Sequence, residues 1–253
     1  KRWYDNGNVE LDHTYVDGKQ EGKQTSFREN GNTHSYCFYK DGKQHGESKE
    51  WYVNGQICDV CHYKDGKRNG ENKHWYKDGN LRFCDNYEDG YKEGEGKDWY
   101  QSGGIRHHRV FKSGVKIEHT SWHENGQKRF HRVLNQSREG LYTQWFASGQ
   151  QSVLYNTKNG LKEGETRTWY SNGVLRTQIF YKKGRKNGGY RKWFANTRLH
   201  ILCSFKDGKE YGEYKKWFED GRIEVECFYN KSGKIHGLYK RYFEDGKLKI
   251  KCS

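Results

Sequence analysis

Cys58 and Cys61 stand three residues apart with His62 beside them. Two thiols and an imidazole at this spacing suggest a zinc site or thiol–disulfide chemistry. His119 and His123 stand four apart and would converge on one metal ion if they lay on a helix. Residues 105–144 hold eight Lys or Arg against three acids, and five His join them. Arg106, His107, His108, Arg109, Lys112, Lys116, Lys128, Arg129, His131 and Arg132 form the dense part of this basic segment. Such a cluster can attract an acidic protein, an anionic lipid surface or a nucleic acid.

What these residues can do depends on the elements that carry them. A Trp or other aromatic, followed four residues later by Gly, returns every 23–25 residues, as in Trp51/Gly55, Trp75/Gly79, Trp169/Gly173 and Trp217/Gly221. Thr197 alone breaks the Gly column. The unit from Trp51 to His74 contains two turn signals, Asn54-Gly55 and Asp65-Gly66, whose residues tolerate positive φ. Between them apolar and polar residues alternate with period two, and no 3.6-residue periodicity competes. Each unit therefore reads as a two-stranded hairpin, and the chain as a single array over residues 1–253 with degenerate repeats at about 104–144. In the degenerate part Ser113 replaces the turn Asp, Glu118 stands where a Gly recurs elsewhere, and Ser137-Arg138-Glu139-Gly140 replaces the usual turn.

This organisation weakens the metal readings. Three residues apart on a strand puts Cys58 and Cys61 on opposite faces, and His119 and His123 lie where no helix is expected. Cys37, Cys61, Cys203, Cys227 and Cys252 each follow their aromatic anchor by ten residues and form one column. Neighbouring members of that column should be about 9–10 Å apart, two strand spacings, whereas a disulfide needs Cα atoms within about 7 Å. The thiols read as packing residues in a reducing, intracellular compartment, with no metal and no cofactor. No paired carboxylates, activated nucleophile or phosphate-binding loop stands out, so an enzyme has no support in the residues. No apolar run approaches the roughly 20 residues of a membrane-spanning helix.

Apolar residues are 31% of the chain, aromatics 16%, and Pro is absent. That suits a thin sheet rich in rings more than a thick globular core, and a ladder that Pro would interrupt. The net charge is +14. A second basic column precedes the anchors by two residues, with Lys49, Lys73, Lys97, Arg167, Arg191, Lys215 and Lys240. It allows two readings: a stripe for an acidic partner, or a solvated face paired with Glu47, Glu71, Glu95, Glu165 and Glu213 two residues earlier.

The phrase Tyr39-Lys40-Asp41-Gly42-Lys43-Gln44-His45-Gly46-Glu47-Ser48-Lys49-Glu50-Trp51-Tyr52-Val53-Asn54-Gly55, repeated from Tyr63 to Gly79, resembles the MORN repeat. It is closest to the variant found in antitoxin-like bacterial proteins and in arrays of giant DNA viruses. The resemblance covers essentially the whole chain. It implies an all-β, elongated antiparallel sheet of about ten tandem 23–25-residue hairpin repeats. It implies a non-enzymatic protein-interaction scaffold within a larger assembly, a virus particle being one such assembly. The alternative it leaves open is an antitoxin-like module that neutralises a protein partner, or a basic surface that binds anionic lipid or nucleic acid. It supplies no catalytic residues.

Overall fold

The computed structural model describes every residue of the chain except Gln136. Among the described residues there is no helix, and the strands pair antiparallel with their sequence neighbours. Two compact units are formed, Lys1–Gly126 and Gln127–Ser253. In the first, long strands such as Thr33–Lys40, Ile57–Lys64, Leu81–Glu88 and Ile105–Lys112 alternate with return strands such as Lys43–Trp51, Gly70–Trp75 and Tyr91–Trp99. In the second, Gln151–Lys158, Leu175–Lys182, Leu199–Lys206 and Ile223–Tyr229 alternate with Leu161–Trp169, Arg185–Trp193 and Lys209–Trp217. The expected hairpin array is therefore present in each unit.

The two turn signals build different turns. At Asp65-Gly66 both residues take positive φ, 51° and 82°, which is the two-residue turn whose twist matches the strands. At Asn54-Gly55 only Gly55 does so, at 83°. Gly55 N donates to Tyr52 O and Tyr52 N to Gln56 O, and the register shifts between Glu50 and Trp51. This is a three-residue loop ending in a left-handed Gly and a bulge. The Asn54 side chain serves it differently: Oδ1 accepts from Gln56 N at 3.2 Å while Nδ2 donates to Lys77 O, one repeat on, at 2.9 Å.

The degenerate segment keeps more of this architecture than its residues suggest. Ser113 and Gly114 hold φ of 48° and 77°, so the turn survives loss of its Asp. In the regular repeat Tyr87 pairs with Lys92 and Asp85 with Gly96, leaving two extra residues on the return strand. In the next repeat Phe111 pairs with Lys116 and Val110 with Glu118, leaving one. The shorter bulge no longer requires a left-handed residue, and Glu118 fits where Gly stood. Of residues 104–144, Gln136 lies outside the described residues. Beside it, Asn135 N donates to Glu139 O and Arg138 N to Asn135 O, closing a longer turn.

Most burial falls on one face of each unit. Counted from the anchors, residues eight, ten and twelve positions on supply Cys61, Asp85, Ile179, Cys203, Phe205, Val225 and Cys227, all buried. The Cys column is buried at three members, half-buried at Cys37 and exposed at Cys252. The Trp anchors themselves are half-buried, apart from the exposed Trp3.

Repeats are also tied across their rims. Gly66 N donates to Gln44 O, Gly90 N to Arg68 O, Gly184 N to Lys162 O and Gly208 N to Lys186 O. On the anchor side, the tyrosine after each anchor reaches the next anchor's carbonyl: Tyr4 to Phe27, Tyr52 to Trp75, Tyr76 to Trp99, Tyr100 to Trp122 and Tyr170 to Trp193, at 2.7–2.9 Å. In the first unit Arg28 makes the equivalent bond to Trp51 O.

Candidate interaction surface

On a strand, residues two apart share a face, and the basic column uses this. Lys49 pairs with Glu47 at 3.0 Å, Lys73 with Glu71 at 2.6 Å, Lys97 with Glu95 at 2.8 Å, Arg167 with Glu165 at 2.8 Å and Lys215 with Glu213 at 2.5 Å. Lys240 takes Glu226 from the neighbouring strand at 2.8 Å. Arg191 donates to Gln178 Oε1. Hydrogen bonds from their Lys partners hold Glu71 and Glu95 below the usual carboxylate range. Apart from Arg191, whose partner is neutral, the column is thus a charge-compensated ladder. Exposed pairs of this kind contribute about 0–1 kcal/mol each, and they leave little net field for a partner.

The basic segment is divided by the fold. In the first unit, alternation along Ile105–Lys112 places Arg106, His108 and Lys112 on one face and His107 and Arg109 on the other. Arg106 lies over the Tyr100 ring at 5.5 Å. It stands in the column of Arg82 over Tyr76 and Arg176 over Tyr170, so it performs a task common to regular repeats. Arg109 forms an ion pair with Asp98, and His108 Nε2 lies 3.4 Å from Glu95. His107 and His119 share a hydrogen bond of 3.1 Å between rings, and Lys116 Nζ donates to His119 Nδ1 at 3.2 Å. Lys112 and Lys116 are exposed. In the second unit, Lys128 and Arg129 are exposed, and His131 and Arg132 are half-buried opposite Thr143 and Tyr142.

Within this segment His108 and Arg109 therefore face acids. Their acids, Glu95 and Asp98, belong to the preceding strand Tyr91–Trp99. A count within 105–144 misses them, whereas the antiparallel register sets Gly96 opposite Arg109 and Asp98 opposite His107. What remains accessible is Arg106, Lys112 and Lys116 in the first unit and Lys128 and Arg129 in the second.

Cys61 donates its thiol proton to Asp59 Oδ2 at 2.8 Å, and burial, then that hydrogen bond, push its pKa up to about 12. Cys58 faces Tyr52 instead, and burial raises it as well. Among the described residues no three His, Cys, Asp or Glu side chains gather as metal ligands. A polar cleft of 440 Å³ in the first unit is lined by Gln24, Ser26, Ser35, Cys37, Gln44 and Ser48, among others. The Ser26 and Ser35 hydroxyls bond each other at 2.7 Å, an arrangement that activates neither as a nucleophile. Among the described residues no helix is long and apolar enough to cross a membrane.

Tandem hairpins with a burying face, ring columns and an ion-pair ladder define a β-repeat array whose accessible surface is polar and basic. The MORN repeat variant family matches residues 20–41, 44–65, 68–89, 162–183, 210–231 and 235–253, just over half of the chain, and the protein belongs to that family. MORN repeats are non-catalytic modules that bind proteins or membrane lipids. No curated protein matches the chain. Among solved structures, those titled TcdB2-TccC3-Cdc42 and TcdB2-TccC3 align over 97% of this chain at 8% identity, with TM-scores of 0.21 and 0.22. The chain spans 16% of their length, and likeness at that level carries no argument.

Proposed function

We propose that the protein is a non-enzymatic interaction scaffold within a larger assembly, a virus particle being one candidate, and that an acidic protein partner docks on the exposed cations of its irregular repeats. The observation that supports this most is the contrast between two basic sets. The regular column is neutralised by its own Glu ladder, while Lys112, Lys128 and Arg129 are exposed and have no carboxylate in salt-bridge range among the described residues. The Cys column, too widely spaced for disulfides, fits an intracellular setting.

The test is capture of partners from the native source, read by mass spectrometry across a salt series. Exposed charges are screened over about 8–10 Å near physiological ionic strength, so partner recovery should fall with salt. Arg106→Ser with Lys112→Ser, and separately Lys128→Ser with Arg129→Ser, should lower recovery. Lys49→Ser with Lys73→Ser, taken from the compensated ladder, should not. Equal loss from all three sets would replace a site by a diffuse field. A single stoichiometric partner whose toxicity the protein suppresses would favour the neutralising module over the scaffold.

A further inference from the structure

The turns opposite the anchors carry like charges face to face. Lys40 is the register partner of Lys43, Lys64 of Lys67, Lys182 of Arg185 and Lys206 of Lys209. Like charges directly opposite on a ladder destabilise it. In three of these four turns an Asp at the first positive-φ position offsets the charge: Asp41, Asp65 and Asp207. One turn abandons this. Lys183 stands at φ 49° where those Asp residues stand, in the run Lys182-Lys183-Gly184-Arg185-Lys186. Asp and Asn tolerate the left-handed region better than Lys. The substitution therefore costs local strain and also removes the one acid that would relieve Lys182 and Arg185. Lys182, Lys183 and Arg185 are all exposed, and among the described residues no carboxylate lies in salt-bridge range of their side chains.

The neighbouring turn departs from the pattern in a complementary way. Its first residue after Gly is Leu161, where four repeats have Lys19, Lys43, Lys67 and Lys209 and two have Tyr91 and Val115. Leu161 is 50% exposed and packs beneath the basic turn, 3.4 Å from where a Gly184 Cβ would stand. Gly184 N bonds Lys162 O at 2.9 Å, and Gly208 N bonds Lys186 O at 2.8 Å, so three turns are held side by side. Lys162 lies over the Tyr155 and Tyr181 rings and Lys186 over the Tyr190 and Phe205 rings. Both are engaged with rings, which leaves Lys182, Lys183 and Arg185 as the cations of the turn that Leu161 packs against. The nearby acids are engaged or remote: Glu163 accepts from Lys183 N at 2.7 Å, Glu139 lies 4.0 Å from Lys158, and Asp207 belongs to the next turn.

We propose that Lys182, Lys183 and Arg185, with Leu161 beside them under Gly184, form a docking corner on the second unit for an acidic peptide segment carrying an apolar residue next to its carboxylates. An exposed leucine beside a turn of unpaired cations complements that chemistry. A nucleic acid would need an exposed ring for its bases to stack on; Phe180, two residues from Lys182, is 39% exposed, and the oligonucleotide competitor below tests that alternative. The corner is independent of the residues proposed above and rests only on the reading of the array as a protein-binding repeat.

The experiment is fluorescence anisotropy on the full chain with a labelled Glu-Glu-Leu-Glu-Glu peptide. A Glu-Glu-Ser-Glu-Glu peptide, a single-stranded thymidine oligonucleotide and phosphatidylserine vesicles serve as competitors. Lys183→Asp should weaken peptide binding about ten-fold, since it reverses a charge at the contact. It should leave the circular dichroism spectrum intact and the Tm equal or higher, because Asp is the residue of the equivalent turns. Leu161→Lys adds a cation yet should also weaken binding, and the Ser peptide should compete poorly. Unchanged binding by Lys183→Asp would overturn the corner, as would tighter binding by Leu161→Lys, which would mean a simple charge field. Stronger competition by oligonucleotide or vesicles would overturn the assignment to a peptide. Each of these failures leaves the partner-capture result under Proposed function standing, so the two readings fail separately.

Discussion

The inner seam of the first unit is polar and that of the second is apolar, although both run on the same backbone ladder. In the first unit the facing pairs are Gln24 with Cys37, Ser48 with Cys61, Asn72 with Asp85 and Gly96 with Arg109. In the second they are Thr166 with Ile179, Tyr190 with Cys203 and Tyr214 with Cys227. Asn72 is 1% exposed and Asp85 4%, yet among the described residues Asn72 Nδ2 and Asp85 Oδ1 have no hydrogen-bond partner. An unsatisfied buried polar group costs about 1–3 kcal/mol. The anchor-side ties run the other way. Four tyrosines and Arg28 bond the next anchor's carbonyl in the first unit. In the second unit Phe146, Phe194, Phe218 and Phe243 stand in that column and only Tyr170 makes the bond. One repeat therefore closes by two routes: hydrogen bonds along the rim where the seam is polar, and side-chain burial where the seam is apolar.

The sharpest way to break this comparison exchanges the chemistry of one column between units. Ile179→Asn places an unpaired amide in the apolar seam and should cost about 3 kcal/mol or more. Asp85→Cys, which installs the residue found at Cys61 and Cys203, should change stability by less than about 1 kcal/mol or raise it. It removes an unpaired carboxylate oxygen, and Lys92, which bonds Asp85 at 2.6 Å, is partly exposed and regains water. Hydrogen exchange read by mass spectrometry reports each unit locally. Equal destabilisation by both variants would refute the polar–apolar contrast.

A smaller effect is expected at Thr197, which holds φ 72° where other repeats have Gly. A β-branched residue in that region is strained, so Thr197→Gly should stabilise the second unit by about 1 kcal/mol, visible as a raised urea midpoint. Comparable in size, Tyr52→Phe should cost about 1 kcal/mol through loss of its bond to Trp75 O. Phe194→Tyr should recover part of such a bond toward Trp217 O. If Tyr52→Phe is silent in exchange at Trp75 and its neighbours, the rim ties carry no weight.

The smallest effect is in pH. The hydrogen bond from Lys73 holds Glu71 below the ordinary 4.5, that from Lys97 does so for Glu95, and those from Lys240 and Tyr242 do so for Glu226. A depressed carboxylate adds stability that is fully present above its unfolded value and is lost as pH falls through the folded value. The Tm should hold from neutral pH to about pH 5 and decline below 4.5. The decline should be shallow because these pairs are largely solvated. A steep loss above pH 5 would point to a buried group outside the ladder.

Much of this was legible in the residues because it is local. Asp-Gly turns, period-two alternation and Glu–Lys pairs two residues apart involve neighbours in sequence, and strand geometry converts them directly into structure. The turn at Ser113-Gly114 is instructive. Its altered residues suggested a lost turn, but Gly114 and the backbone bond from Gly114 N to Lys92 O hold it in place. The candidate site was legible only in part, for the same reason in reverse. Arg109 meets Asp98 across a register that no window within the basic segment contains, and Arg106 meets the ring of Tyr100, the residue after the anchor and also outside that segment.

The sequence by itself determined the hairpin period, the turn positions, the inward-facing column ten residues after the anchors and the family, since each follows from spacing along one strand or one turn. The tertiary structure decided which charges are free, which tyrosines tie repeats together, and which facing residues share a seam. Those contacts join residues 9 to 23 apart across a bulged ladder. A shift of one residue in the bulge changes which side chains meet, so only the folded register could assign them.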